Sequence, residues 1–376
     1  MNRMIAPMLF SRDEKAGDDK KRSLINVSID LTKTELENKR IQDNNFLINK
    51  YSVNNSLITT EVKKAFRNKL YKYCAEKAGL TDLDFEDKNS MMRAFSHPVF
   101  EWELMSIITE TINTVNADNE VEDILVAANV KTVGIGDSFT DEIESKSLYK
   151  VQEHAYGDNK SRYQEHLKSP ITITPLPKSA SVDFDVIQMT AINYDWGKQI
   201  AKIAASFRTK MYQDVVDVIF TVANVSATPF YAPTFAKSTY VTLASRLEAA
   251  NGGAGVTAYG TNIAFTAMSD IVDTGYTTLD EINKSGFIGN LYGVRTQIFK
   301  QAVDSSNANF AFRVPNDRVL LMSSLGERPV KLVKESALQV ISETGLNTAL
   351  YKRVYTMIDS WKAQLATQAA YAIQEV

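Results

Sequence analysis

Two of the three histidines in this 376-residue chain, His154 and His166, sit in identical Gln-Glu-His triplets on either side of Gly157, Asp158 and Asn159. Gly, Asp and Asn favour tight turns because they accept positive φ or bond their own backbone. The stretch Ser147–Pro177 therefore reads as two extended arms folded back as a hairpin, with both imidazoles near Glu153 and Glu165. Imidazole and carboxylate groups together suit a divalent metal. A metal site also needs its ligands fixed by packing and outer hydrogen bonds, and arms built from Lys150, Gln152, Glu153, Arg162, Gln164, Glu165 and Lys168 offer little to fix them. The histidines are accordingly read as an exposed polar pair, and no metal is assigned.

Other reactive residue types are equally poor in context. Cys74, the single cysteine, excludes an intrachain disulfide and a multi-cysteine metal knuckle. It lies in the helical pattern "KAFRNKLYKYCAEKAGL", where a thiol is commonly a buried small hydrophobe. The Gly-x-Gly of "VGIGDSF" lacks the third glycine and the following helix of a dinucleotide-binding loop, so Gly134 and Gly136 read as a structural turn. Carboxylate runs in "TDLDFED" and "DEIES" read as solvated turns. The chain has no nucleophile elbow, phosphate-binding loop, zinc-protease helix or calcium-binding loop. Neither catalytic residues nor a cofactor is expected.

Composition limits the partners. Hydrophobic residues make up 44% and charged residues 23%, enough for a core, and the formal net charge of −3 supplies no basic field for gripping phosphates. No apolar run is long enough to cross a bilayer, and the start of the chain lacks the pattern of a secretory signal. An intracellular, non-membrane protein is expected.

Stepping along the chain, residues 1–60 are rich in Lys, Asp, Asn and Ser and read as an extended arm. Residues 61–79 look helical, with Gly79 as the stop. "VFEWELMSIITETINTVN" reads as a second helix, with Trp102, Met105, Ile108 and Ile112 as its buried stripe. "DILVAANVKTV" is strand-like. "SPITITPLPKSASVDF" reads as a return strand at an edge, because proline cannot donate to a ladder.

The most regular element is "DWGKQIAKIAASFRTKMYQDVVDVIFTVAN". Trp196, Ile200, Ile203, Phe207, Met211, Val215, Val218 and Val222 step by three or four, which predicts one long helix capped by Asp195 and ending near Asn224, about 43 Å long. Thr239–Ala249 reads as a short helix and "NGGAGVTAYG" as a loop. The following mixed sequence reads as a compact α+β domain, with two strands around Leu325, Gly326 and Glu327. The tail after Ser336 alternates like long strands.

The polar hairpin has two readings: a mobile surface loop, or a ribbon whose packing surface belongs to another chain, since isolated two-stranded ribbons are marginal in water. Its Tyr149, Tyr156 and Tyr163 have the rings for stacking on bases, but balanced charge around them favours contact with protein. The order of parts decides between the two readings. "VGIGDSF" leads into the hairpin, "SPITITPLPKSASVDF" leads out, "DWGKQIAKIAASFRTKMYQDVVDVI" follows as a spine, and "FIGNLYGVRTQIF" with "NDRVLLMS" lies in the compact domain. In this order the chain resembles the major capsid proteins of tailed bacteriophages, which have the HK97-like fold.

That resemblance implies an α+β fold with a long spine helix, an extended β-hairpin loop, and peripheral and axial domains. The expected divisions are an N-terminal arm at 1–60, a helical joining segment at 61–130, the extended loop at 131–185, the spine helix and peripheral domain at 186–239, the axial domain at 240–334 and peripheral strands at 335–376. It implies a structural protein, not an enzyme, that self-assembles into pentamers and hexamers of an icosahedral shell around double-stranded DNA, bound non-specifically. Scaffolding and portal proteins are implied partners, and a decoration protein is a further one. The implied location is the virion capsid, assembled in the bacterial host cytoplasm. Intersubunit contacts are assigned to Tyr149, Lys150, Glu153, Tyr156, Arg162, Tyr163, Glu165 and Lys168. Two alternatives stay open: an encapsulin-like nanocompartment shell, and an enzyme on an unrelated α+β fold.

Overall fold

The computed structural model describes residues 17–45, 60–118, 127–144, 168–185, 195–271, 289–299, 301, 312–323, 328–336, 339–342, 352–366 and 371–376. The chain divides into two compact units. The first takes residues 1–120, 177–208 and 336–360, and the second takes 121–176, 209–335 and 361–376.

The first unit is mainly helical. Helices α1 (Gly17–Asn45), α2 (Thr60–Ala78), α3 (Lys88–Phe95) and α4 (Pro98–Asp118) follow one another, with α1 and α2 both packed on α4. Residues 17–45, expected within an extended polar arm, are thus a helix. Its Leu24, Ile25, Val27, Ser28, Ile29, Leu31 and Thr32 are buried. Within residues 19–33, Asp19, Lys20, Arg22, Ser23 and Asn26 are exposed, whereas Ser28 and Thr32 enter the packed face as small side chains.

Helix α2 stops where Gly79 adopts φ 70°, a left-handed conformation that glycine reaches without a Cβ penalty. Asp87 begins α3 by accepting a hydrogen bond from the Ser90 backbone N–H at 2.8 Å. On α4 the expected stripe is partly wrong. Met105, Ile108 and Ile112 are buried together with Phe100, Leu104, Ile107, Thr111 and Val115, whereas Trp102 is 65% exposed. The buried face is centred about one residue round the helix from the expected stripe, which leaves the tryptophan outside it.

Aromatic rings close the centre of this unit. Phe95 meets Phe100 edge-on at 5.3 Å, and Tyr71 lies 6.0 Å from Phe95 in a similar arrangement, a geometry favoured by the ring quadrupoles. Helix α5 (Trp196–Ile219) contributes Trp196–Arg208 here. Asp195 caps it as expected, accepting the Lys198 N–H at 3.1 Å, and also pairs with Lys63. The Trp196 indole N–H donates to the buried Tyr71 hydroxyl at 3.1 Å, and Arg208 donates to the Val115 carbonyl at 3.2 Å. Paired strands complete the unit. Strand β4 (Leu176–Asp185) and strand β11 (Gln339–Ser342) both pair with strand β12 (Lys352–Leu365), and Ser181 and Thr356 share a hydroxyl bond at 2.9 Å.

The second unit is built on sheets. Its larger sheet has six strands in the order β5 (Tyr231–Ala232), β13 (Tyr371–Glu375), β9 (Arg318–Ser323), β6 (Val256–Gly260), β8 (Val294–Ile298) and β7 (Asn290–Leu291). Helices α6 (Lys237–Ala250) and α7 (Asn262–Ile271) accompany it. Tyr240, Leu243, Leu247, Phe265, Met268, Leu291, Val294, Val319, Leu321 and Ala372 form one core. Residues 256–260, expected within a loop, are strand β6 at the middle of the sheet. A Cβ on Gly260 would come within 3.1 Å of Val319 Cγ2 and 3.2 Å of Phe265 Cζ, so this glycine is there for close packing.

In its smaller sheet, β1 (Ala128–Val133) runs parallel to β10 (Val330–Glu335), and β10 runs antiparallel to the 361–365 end of β12. The two strands expected around Leu325, Gly326 and Glu327 exist as β9 and β10 but enter different sheets. Residues Thr209–Ile219 of α5 belong to this unit. The helix has 24 residues, about 36 Å at its usual rise, shorter than expected. Asn224 still serves the terminus from outside: its amide donates to the Val218 carbonyl at 3.3 Å, and the Thr221 hydroxyl donates to that of Asp217. These side-chain bonds compete with further helical turns.

Replacing Tyr71 by Phe removes the hydroxyl that receives the Trp196 indole bond. The expected cost is about 1 kcal/mol of unfolding free energy, measured from the denaturant midpoint with an unchanged m-value. A variant as stable as the parent would show that the bond contributes nothing net.

Candidate assembly hairpin

The entrance to the hairpin is built on β1 and β10. After Val133 the chain turns at Gly134–Asp137, where the Asp137 N–H donates to the Gly134 carbonyl at 3.1 Å. Gly136 has φ 80°, and its N–H donates to the Glu335 carboxylate at 3.0 Å. The expected structural turn is therefore present, and it is tied to the end of β10.

Beyond the turn, β2 (Phe139–Glu144) and β3 (Lys168–Ile173) form a two-stranded antiparallel sheet in the register Phe139↔Ile173 to Glu144↔Lys168. The sequence predicts paired arms, and the described pairing lies at their base. Alternation gives this base two faces. Phe139 and Asp141 share one face with Ile171 and Ile173, and Ile173 is fully buried. Thr140, Glu142, Pro170 and Thr172 occupy the other face and are exposed, with the two threonine hydroxyls 3.2 Å apart across the strands. The alternating signal was present in "PITIT". The return strand expected over "SPITITPLPKSASVDF" is found in two parts, β3 and β4.

Asp141 fixes this base. Its carboxylate lies 3.1 Å from the ammonium of Lys331, a β10 side chain that is 4% exposed. An ammonium withdrawn from water needs a nearby anion to offset its lost hydration, so the pair sets where β2 sits against β10. The "DEIES" carboxylates expected in a solvated turn therefore begin in a strand, with one of them on a buried lysine.

Of the assigned contact residues, Lys168 is the first residue of β3, opposite Glu144. Tyr149, Lys150, Glu153, Tyr156, Arg162, Tyr163 and Glu165 lie outside the described residues, as do His154 and His166. The third histidine, His97, precedes α4, and its carbonyl receives the Glu101 N–H at 3.2 Å. In "TDLDFED", Asp84 accepts the Glu86 N–H at 2.9 Å, Glu86 pairs with Lys64 at 2.6 Å, and Asp87 caps α3. These carboxylates hold local structure.

Cys74 is fully buried. Burial, with the Glu103 carboxylate nearby, pushes its thiol up to about 12, so the reactive thiolate is scarce at neutral pH. Among the described residues no cluster of three or more His, Cys, Asp or Glu side chains is placed to hold a metal. No described helix is long and apolar enough to cross a membrane.

Two measurements check this geometry. Replacing Lys331 by Met removes the cation facing Asp141 and should speed amide exchange in 139–144 and 168–173 about tenfold, equivalent to about 1.4 kcal/mol, with β9 and β13 unchanged. Equal exchange would mean that the pair does not hold the hairpin base. Cys74 should resist an aromatic disulfide reagent in the native protein at pH 8 and react fully in denaturant; rapid native labelling would contradict its burial.

No family model matches the chain and no curated protein is similar to it. Among solved structures, it is similar to the capsid of a native GTA particle, with 13% identity, 67% of this chain and 89% of that chain covered, and a TM-score of 0.46. A phage-related protein from Bordetella bronchiseptica RB50 has 11% identity, 70% and 95% coverage and a TM-score of 0.46. The holo encapsulin complex from Synechococcus elongatus PCC 7942 has 11% identity, 67% and 86% coverage and a TM-score of 0.41.

Proposed function

We propose that this chain is a structural subunit of the HK97-like kind, which self-assembles into pentamers and hexamers of an icosahedral shell around the double-stranded DNA of a tailed phage. The observation that carries the reading is the anchored hairpin base. Strands β2 and β3 hold both ends of residues 145–167 in register, and that charged segment offers its own chain no apolar stripe to bury. A ribbon with a fixed root and a polar tip suits contact with a neighbouring copy. There, mixed charges such as Lys150, Glu153, Arg162 and Glu165 set register while leaving the free subunit soluble. Repeated around closed symmetry, modest contacts of this kind sum to a stable shell.

The remaining parts fit the same role. Helix α5 supplies a stiff element, and residues 240–334 serve as the axial domain of the resemblance. Net charge near −3 suits a wall that releases its DNA, because tight phosphate binding would oppose exit. A scaffolding protein and a portal are the proposed assembly partners, in the cytoplasm of the host.

Negative-stain microscopy with light scattering, on the protein alone and with candidate scaffold genes, tests the proposal. Hollow particles of uniform size are expected. Deleting Tyr149–Gln164 should leave circular dichroism and melting behaviour near those of the parent while abolishing stable shells. Normal shells from that variant would remove the hairpin from assembly. Monomers under every condition, together with saturable small-ligand binding, would favour an enzyme instead.

A further inference from the structure

Asn251 and Gly252 form the single Asn-Gly step in the chain. Asparagine is a thermally labile residue, most of all before glycine, whose missing side chain leaves the following backbone nitrogen unhindered. Here the step lies at the end of α6, where both reacting groups are held. Asn251 is the C-cap residue. Its backbone N–H donates to the Leu247 carbonyl at 3.1 Å, and its side-chain amide donates to the same oxygen at 2.8 Å. The Gly252 N–H donates to the Ala249 carbonyl at 3.3 Å, and the Gly253 N–H to that of Glu248 at 2.9 Å. Gly252 and Gly253 are exposed, and a Cβ on either would meet nothing within 4 Å, so water reaches the step.

We propose that Asn251 is a site of spontaneous deamidation whose rate is set by opening of the α6 terminus. When the cap opens, the Gly252 nitrogen attacks Asn251 Cγ. The N–Cγ bond forms, the Cγ–Nδ2 bond breaks, and ammonia leaves with the former Gly252 amide proton. Water then opens the cyclic imide at either carbonyl, giving aspartate or isoaspartate. The closed cap opposes the first step, because the side-chain amide is directed back at Leu247 and the attacking nitrogen has its hydrogen on Ala249. Helix ends open more readily than core elements, so conversion proceeds from the opened state.

Conversion damages the cap. Aspartate replaces an N–H donor by an anion at the negative end of α6, beside the Leu247 carbonyl, and both changes are unfavourable. Isoaspartate lengthens the main chain by a carbon and shifts the Gly252 and Gly253 donors off their carbonyls. Tyr240, Leu243 and Leu247 of α6 lie in the core of the six-stranded unit, and the same short loop leads into β6 at the middle of the sheet. Loss of the cap therefore reaches the interior. This chemistry is independent of the proposed assembly role.

Peptide mapping by mass spectrometry, on the full chain aged at mildly alkaline pH, tests the proposal. In guanidinium chloride Asn251 is expected to convert before the other asparagines, and Gly252→Ala to slow it. In the folded chain the same residue should convert several-fold more slowly. Lack of conversion at Asn251 in the unfolded chain overturns the site, and equal rates in the folded and unfolded chains overturn its control by the cap. A folded chain that stays unconverted over many unfolded half-lives overturns it as a native modification. Asn251→Asp should melt below the parent and exchange the Gly252 and Gly253 amides several-fold faster; unchanged melting and exchange would overturn the damage to α6.

Discussion

A lysine ammonium almost completely withdrawn from water fixes the part of this molecule on which its proposed role turns. Lys331 is held in β10, between β1 and β12, so its position is set by ladders on both sides. The anion it requires comes from Asp141 in the hairpin base. Charge neutralisation thus fixes a strand that the ladder of β10 does not itself include. The neighbouring bond from the Gly136 N–H to Glu335 reinforces this at the turn.

The first unit solves a different problem. Its helices carry many charges, yet α1, α2 and α4 share one apolar interior, closed by the Tyr71, Phe95 and Phe100 rings and by the Trp196 indole. The rings pack among buried aliphatic side chains such as Leu24, Leu70, Leu104 and Ile108 and bring edge-to-face contacts of their own. The indole bond to the Tyr71 hydroxyl satisfies two polar groups that would otherwise be costly in such a place. The start of α5 is held to α2 by that bond and by the pairing of Asp195 with Lys63.

Local backbone chemistry was legible in the sequence. Gly79 as a helix stop, Asp195 as a cap, Cys74 as a buried thiol and Gly134-x-Gly136 as a turn follow from properties of single residues, and each is found. Helix α6 and strand β12 follow from pattern. Long-range packing was harder to read. Helix α1 buries Ser28 and Thr32, so its apolar face is too broken to declare itself, and Trp102 joined a stripe by spacing alone. Strand β6 was hidden by the glycines before it. Of the candidate site, the return strand in "SPITIT" was legible but its partner at 139–144 and the amphipathic base they form were not, because the buried partner of Asp141 lies in a strand far along the chain.

Strand β13 carries a consequence for how the protein is made. It lies between β5 and β9, and its Gln374 amide donates to the Ala232 carbonyl across a separation of 142 residues. Among the described residues, strand β5 has no other partner in that sheet. The sheet therefore cannot close on the ribosome until Glu375 has emerged, and contacts so distant in sequence form slowly. Any surface that depends on the finished sheet is withheld from a nascent chain until the strand that completes it has been made.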